Sequence, residues 1–107
     1  IEQMGSDDGV TQEFMKNIAI DYAAKASNTR NENIPQHFSK SSAVNNNDYL
    51  NLAYSAQIDG VSVTFINNIY VGKNVTMQAI TYGIGPTVTD KLIAVNKTLI
   101  ENIIIPE

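Results

Sequence analysis

Residues 50–69, LNLAYSAQIDGVSVTFINNI, decide the fold of this chain. The pair Asp59-Gly60 at their centre is typical of a two-residue hairpin turn, because both central residues of that turn need a positive φ. Stepping outward from the turn by two residues sets side chains of one face opposite each other. The predicted pairs are Ile58 with Val61, Ala56 with Val63, Tyr54 with Phe65, Leu52 with Asn67, and Leu50 with Ile69. Four of the five pairs are wholly apolar, so the turn and the face pattern both predict the same antiparallel hairpin. The exception is Asn67, whose side chain needs a buried hydrogen-bond partner.

The sequence after this hairpin predicts a further antiparallel strand. A three-residue loop, Gly72-Lys73-Asn74, sets Ile69 against Met77. A two-residue loop would instead set Ile69 against Thr76 or Gln78. Because the longer loop keeps apolar residues opposite apolar residues, we predict the three-residue loop.

A helix is predicted before the sheet, from Val10 to Ala26. Ser6, Asp7 and Asp8 precede it and supply capping oxygens and negative charge at the end where the helix dipole is positive. Its apolar residues recur at helical spacing and form one predicted stripe: Val10, Phe14, Met15, Ile18, Ala19, Tyr22 and Ala26.

A second helix is predicted after the sheet, from about Val88 to Asn102. Thr87 and Asp90 stand at capping-box spacing at its start. Its predicted buried stripe consists of Leu92, Val95, Leu99 and Ile103.

The segment between the first helix and the hairpin is rich in Ser, Asn and Lys. Within it, Ile34 to Phe38 is a candidate edge strand, and Ser39 to Asp48 is predicted to be a loop. The whole pattern predicts an α+β fold, in which an antiparallel meander from Tyr49 to Tyr82 is flanked by an N-terminal and a C-terminal helix.

The second face of the predicted sheet is rich in tyrosine and amide side chains. One predicted row holds Tyr49 and Tyr70, and the next holds Asn51, Asn68 and Gln78. Such side chains offer hydrogen-bonding groups on rigid platforms, so we predict that these five residues bind a partner. The alternative is an ordinary sheet face, half covered by the N-terminal helix and half in contact with water.

Composition and charge disfavour several classes of partner. The net charge is -4 at pH 7, and the seven basic residues are scattered along the chain. Because nucleic-acid binding depends on clustered Lys and Arg, we expect no nucleic-acid partner. The apolar runs are too short to span a bilayer, so we expect no transmembrane segment in this chain. A signal or lipid anchor would lie upstream of Ile1.

No set of side chains in the sequence predicts catalysis, a metal site or a cofactor. The chain has no cysteine, and His37, its only histidine, belongs to no recognisable nucleophile motif. We therefore predict a non-catalytic domain without metal or cofactor. The alternative is a small-molecule or ion-binding domain, or a hydrolase, with a pocket between the sheet and the C-terminal helix near His37 and Gly83 to Thr87.

The chain resembles the PsbP/DcrB-like family in residues 60–83, GVSVTFINNIYVGKNVTMQAITYG, and 90–105, DKLIAVNKTLIENIII. Gln12-Glu13-Phe14-Met15 is similar to the first helix of that family. The resemblance implies an α/β/α sandwich, with residues 1–107 forming a single domain that lacks its first strand or strands. It also implies an extracytoplasmic accessory domain of a bacterial lipoprotein or periplasmic protein, which engages a protein or a cell-envelope component.

Overall fold

An antiparallel sheet lies between two helices in the computed structural model, which describes residues 11–72 and 75–103. The four strands form one sheet in the order β1-β2-β3-β4, with helix α1 packed on one face and helix α2 on the other. We call these the α1 face and the α2 face. The predicted α+β fold is confirmed. In chain order the elements are α1 (Gln12–Ala26), a 3₁₀ turn (Asn31–Asn33), β1 (Gln36–Val44), β2 (Asn47–Ile58), β3 (Val61–Val71), β4 (Thr76–Ile84) and α2 (Asp90–Glu101).

The β2–β3 hairpin has the predicted turn and the predicted register. Asp59 and Gly60 have φ values of 52° and 80°, as the two-residue turn requires. Every predicted pair from Ile58 with Val61 outward is present. The expected partner of Asn67 is found for one of its two polar atoms, since its Nδ2 donates to the half-buried Gln78 Oε1 at 2.7 Å, while its Oδ1 has no partner among the described residues.

The predicted loop from Ser39 to Asp48 is wrong, because most of it belongs to β1 and the start of β2. Asn45 and Asn46 join these strands with φ values of 53° and 65°. Asparagine tolerates this left-handed conformation better than most residues, which allows a tight turn without glycine. No side chain of β1 is buried, so this edge strand lacks the apolar alternation that marks a strand in a sequence.

The predicted β3–β4 register is also wrong. Ile69 pairs with Gln78 rather than with Met77, and the strands close at Val71 and Thr76. A shift of one residue turns every β4 side chain to the opposite face of the sheet.

This shift places small residues of β4 beneath α2 and large ones on the α1 face. Gly83 lies beneath Leu92 of α2, and a Cβ atom there would be in ordinary van der Waals contact with Leu92 Cδ1 at 3.8 Å. Because α1 packs over β2 and β3, three apolar side chains of β4 stay largely exposed: Ile80 at 47%, Tyr82 at 68% and Ile84 at 74%.

Helix α1 follows Thr11, whose Oγ1 accepts a hydrogen bond from the Phe14 N–H at 3.0 Å. The predicted caps at residues 6–8 lie outside the described residues. The predicted stripe is partly wrong, because Phe14 and Tyr22 are 48% and 67% exposed. The residues that α1 buries are Met15, Ala19, Ile20, Ala23 and Ala24.

Helix α2 follows Thr89, whose Oγ1 accepts from the Leu92 N–H at 3.1 Å, so the predicted cap at Thr87 is two residues early. Its inward side holds Leu92, Asn96 and Ile100. Val95, which was predicted to be buried, is 51% exposed. Among the described residues, neither helix has the length and hydropathy that a membrane span needs.

Candidate functional site

Most of the face predicted to bind a partner lies inside the molecule. Tyr49, Asn51, Asn68 and Tyr70 share the α2 face, and none is more than 9% exposed. Gln78 is on the α1 face instead, which corrects its predicted place in the same row. The partner-binding role of these five residues stays a prediction, but the buried four do not form a solvent-exposed surface here.

A chain of hydrogen bonds crosses the α2 face from β1 to α2. Ser42 Oγ donates to Asn51 Oδ1 at 2.6 Å, and Asn51 Nδ2 donates to Asn68 Oδ1 at 2.8 Å. Asn68 Nδ2 then donates to Asn96 Oδ1 at 2.5 Å, and Thr81 Oγ1 donates to the same oxygen at 3.1 Å. We call these five residues the amide network.

The amide network explains why amides occupy a buried sheet face. Asn51, Asn68 and Asn96 are all buried, and a buried amide is costly unless its hydrogen bonds are made. Because these bonds link the sheet to α2, they fix the position of the helix over β3 and β4. Beside the network, burial raises the pKa of the Tyr49 hydroxyl above its ordinary value, and the neighbouring Tyr70 adds to the rise.

A cleft of about 430 Å³ opens at the end of the sheet that holds the β2–β3 turn. We call it the end cleft. None of its eleven described lining residues is charged, and most carry hydroxyl or amide groups. They are residues 27–29 after α1, residues 33–35 before β1, residues 55–57 of β2, Ser62 of β3, and Pro86 before α2.

Main-chain groups of β2 face the end cleft because β1 stops short of the end of β2. The β1–β2 pairing ends at Gln36 with Tyr54, and the Ser55 N–H donates to the Pro35 carbonyl at 3.0 Å. Pro35 has no N–H, so it returns no bond to the Ser55 carbonyl. Because main-chain groups alternate in direction along a strand, Gln57 points its N–H and C=O away from β3, as Ser55 does. No strand in the described ranges pairs with Gln57 on that side.

A second chain of hydrogen bonds lies beneath the end cleft. His37 occupies the irregular position where the β1–β2 register shifts, and such bulges redirect a side chain. Its Nε2 lies 2.6 Å from Ser55 Oγ, which lies 2.6 Å from Thr64 Oγ1. Thr64 Oγ1 donates to the Gly85 carbonyl at 2.8 Å.

Ser55 Oγ is the centre of this chain, because it also lies 3.2 Å from the Pro86 carbonyl oxygen. Either hydroxyl can donate in the contact between Ser55 and Thr64, and the tautomer of His37 sets the direction of its contact with Ser55. The contacts link β1, β2 and β3 to the segment before α2.

The sequence located part of this region. A pocket near His37 and Gly83 to Thr87 was the alternative prediction, and Pro86 does lie in the wall while His37 reaches Ser55 below it. Most of the wall, however, comes from the segment after α1, from β2 and from the segment before β1. Sequence reasoning missed Ser55 and Gln57. The one available signal was Pro35, since a proline at the start of a strand interrupts the ladder of its neighbour.

The described residues contain no group of three or more His, Cys, Asp or Glu side chains that could hold a metal ion. No family model, curated protein or solved structure matches the chain.

Proposed function

We propose that this chain is a non-catalytic binding domain, and that its end cleft holds an uncharged, hydrogen-bonding part of a protein or cell-envelope partner. The observation that carries the proposal is the wall of the cleft. The open cleft has a volume of about 430 Å³, and its wall presents hydroxyl, amide and main-chain groups without any charged side chain among its described residues.

The size and chemistry of the cleft favour a small, neutral group. Pockets for small ligands have volumes of roughly 300–1,000 Å³, and a few placed polar groups give them specificity. An ion that entered this cleft would lose water without meeting an opposite charge, which is unfavourable. Ile34 and Ala56 add apolar surface beside the polar groups, so the wall suits a ligand with both kinds of surface.

The resemblance to the PsbP/DcrB-like family supports the cellular part of the proposal. The domain acts outside the cytoplasm, as an accessory part of a bacterial lipoprotein or periplasmic protein. The site of contact is the end cleft rather than the tyrosine and amide face, because that face is filled by the amide network and α2.

An NMR titration of the ¹⁵N-labelled chain tests this function. The probes are N-acetyl-Val-Thr-Val-amide, N,N′-diacetylchitobiose and sodium phosphate, each added to millimolar concentration. We expect at least one of the two uncharged probes to shift the amide signals of residues 27–29, 33–34 and 55–57, while phosphate leaves them unchanged.

A matched pair of variants completes the test. Asn33 and Asn31 are both exposed in the same 3₁₀ turn, but only Asn33 lines the cleft. Asn33→Trp is expected to fill the cleft and remove the shifts, and Asn31→Trp to leave them. Shifts confined to the exposed β4 surface, no shift with either uncharged probe, or equal loss in both variants would overturn the proposal.

A further inference from the structure

We infer that the ligand of the end cleft is an extended peptide main chain, which pairs with β2 as an added strand in line with β1. This inference rests on the proposed function and specifies the chemical class of the ligand. It is carried by the direction of the main-chain groups at Ser55 and Gln57.

Two side-chain contacts across β2 and β3 establish those directions. Ser55 Oγ lies 2.6 Å from Thr64 Oγ1, and Gln57 Nε2 donates to Ser62 Oγ at 2.7 Å. Such close approach is typical of the pairs in an antiparallel ladder that do not exchange main-chain hydrogen bonds. The Ser55 N–H confirms this alternation, because it bonds to Pro35 and not to β3.

The end cleft therefore presents three main-chain groups. They are the carbonyl of Ser55, which Pro35 leaves without an N–H donor, and the N–H and carbonyl of Gln57. One residue of an antiparallel strand offers a carbonyl and an N–H side by side, which matches the pair on Gln57. Strand addition of this kind uses main-chain bonds for affinity and side-chain pockets for selectivity.

The side chains around the cleft predict the sequence pattern of the peptide. A ligand residue opposite Gln57 shares the α2 face with Gln57 and Ser62, so a small polar side chain fits there. Its two neighbours point to the α1 face, where Ala56 and Ile34 belong to an apolar cluster. The expected pattern is apolar, polar, apolar, as in N-acetyl-Val-Thr-Val-amide. The uncharged wall suits a segment that has neither terminal charge nor charged side chains.

Two variants of Gln57 separate main-chain from side-chain recognition. Gln57→Pro removes the outward N–H without removing a β2–β3 ladder bond, whereas Gln57→Ala removes only the side chain. We expect Gln57→Pro to weaken binding of N-acetyl-Val-Thr-Val-amide roughly fivefold or more, and Gln57→Ala to change it by less than about twofold. An equal loss in both variants would show recognition of the side chain and overturn the inference.

A modified peptide tests the same bond with the unaltered protein, which covers the case in which Gln57→Pro does not fold. N-methylation of the central threonine removes the N–H that faces the Gln57 carbonyl, while N-methylation of the following valine alters an amide that faces away from β2. The first change is expected to weaken binding roughly fivefold or more and the second to leave it nearly unchanged. Equal effects would contradict strand addition.

The titration also separates this inference from the proposed function. If diacetylchitobiose shifts the cleft signals and the peptide does not, the inference is wrong and the binding function stands. If neither probe does so, both fail.

Discussion

Replacement of Asn68 by leucine is the sharpest test of the amide network. Asn68 is 0% exposed, its Oδ1 accepts from Asn51 Nδ2 at 2.8 Å, and its Nδ2 donates to Asn96 Oδ1 and to the Ala79 carbonyl. Leucine makes none of these bonds. Asn51 Nδ2 and the Asn96 amide then lose a partner in the interior.

The expected loss of stability follows from those two amides. An unsatisfied buried polar group costs about 1–3 kcal/mol, so Asn68→Leu is expected to lower the free energy of unfolding by about 3–4 kcal/mol. That is a large share of the roughly 5–15 kcal/mol of a typical domain. It corresponds to a fall in melting temperature of at least about 12 °C.

The adjacent residue provides a matched control. Asn67 is equally buried, but its Oδ1 has no hydrogen-bond partner in the described chain, and its Nδ2 donates to the half-buried Gln78. Asn67→Leu removes an unsatisfied oxygen, so we expect it to cost less than about 1 kcal/mol. Urea unfolding followed by circular dichroism measures both variants. Equal stabilities, or an Asn68→Leu cost below about 1 kcal/mol, would refute the structural role of the network.

Three further predictions concern a cap, a turn and the tyrosines. Thr89→Ala is expected to lower the free energy of unfolding by about 1 kcal/mol, because Thr89 caps α2. Thr87→Ala is expected to leave it nearly unchanged, and the reverse order of stabilities in thermal melts would place the cap at Thr87. Gly60→Ala is expected to cost about 1–2 kcal/mol, because Gly60 has a φ of 80°, and a neutral effect on unfolding would argue against this turn. Burial raises the pKa of Tyr49 and, with a smaller opposing effect of Asn67, that of Tyr54 above the ordinary tyrosine value. The unfolded chain therefore loses these protons first, so the stability that the two tyrosines contribute is fully present below the ordinary tyrosine pKa and is lost as the pH rises through it. In urea titrations against pH, Tyr54→Phe should reduce that alkaline loss, and an unchanged loss would contradict this origin.

The sequence predicts best where two independent signals coincide. At the β2–β3 hairpin, the Asp59-Gly60 turn and the apolar pairs both specify the same register, and that register is confirmed. At the next turn, only apolar matching was available. This matching gave the wrong register because β4 is an edge strand. Ile80 and Tyr82 can therefore remain exposed, while Thr81 faces α2 and bonds to the Asn96 side chain.

The helices show a similar limit. Spacing predicted both helices, but large apolar residues misled the choice of buried side on α1. The buried positions there include Ala19, Ala23 and Ala24, since small side chains let the helix approach the sheet, whereas Phe14 and Tyr22 lie toward solvent. Which side of a helix faces the sheet depends on the partner surface, and the helix sequence does not contain that surface.

The end cleft was the hardest feature to predict. The groups that define it are the main-chain atoms of Ser55 and Gln57, and every residue has such atoms. These two residues differ from the rest of β2 because no strand of the described chain lies beside them on that side. That absence depends on where β1 starts relative to β2, and the pairing of these strands was not predicted. His37 likewise joins Ser55 only through the irregular start of β1.

Hydrogen–deuterium exchange of the Gln57 amide tests the central claim most directly. In the free protein we expect this amide to exchange much faster than the amides of Ala56 and Ile58, which the alternation of the ladder directs toward β3. Saturation with N-acetyl-Val-Thr-Val-amide should slow exchange at Gln57 and leave its neighbours unchanged. A Gln57 amide that is already protected in the free protein, or one that the bound peptide leaves unprotected, would contradict a binding site built on the open edge of β2.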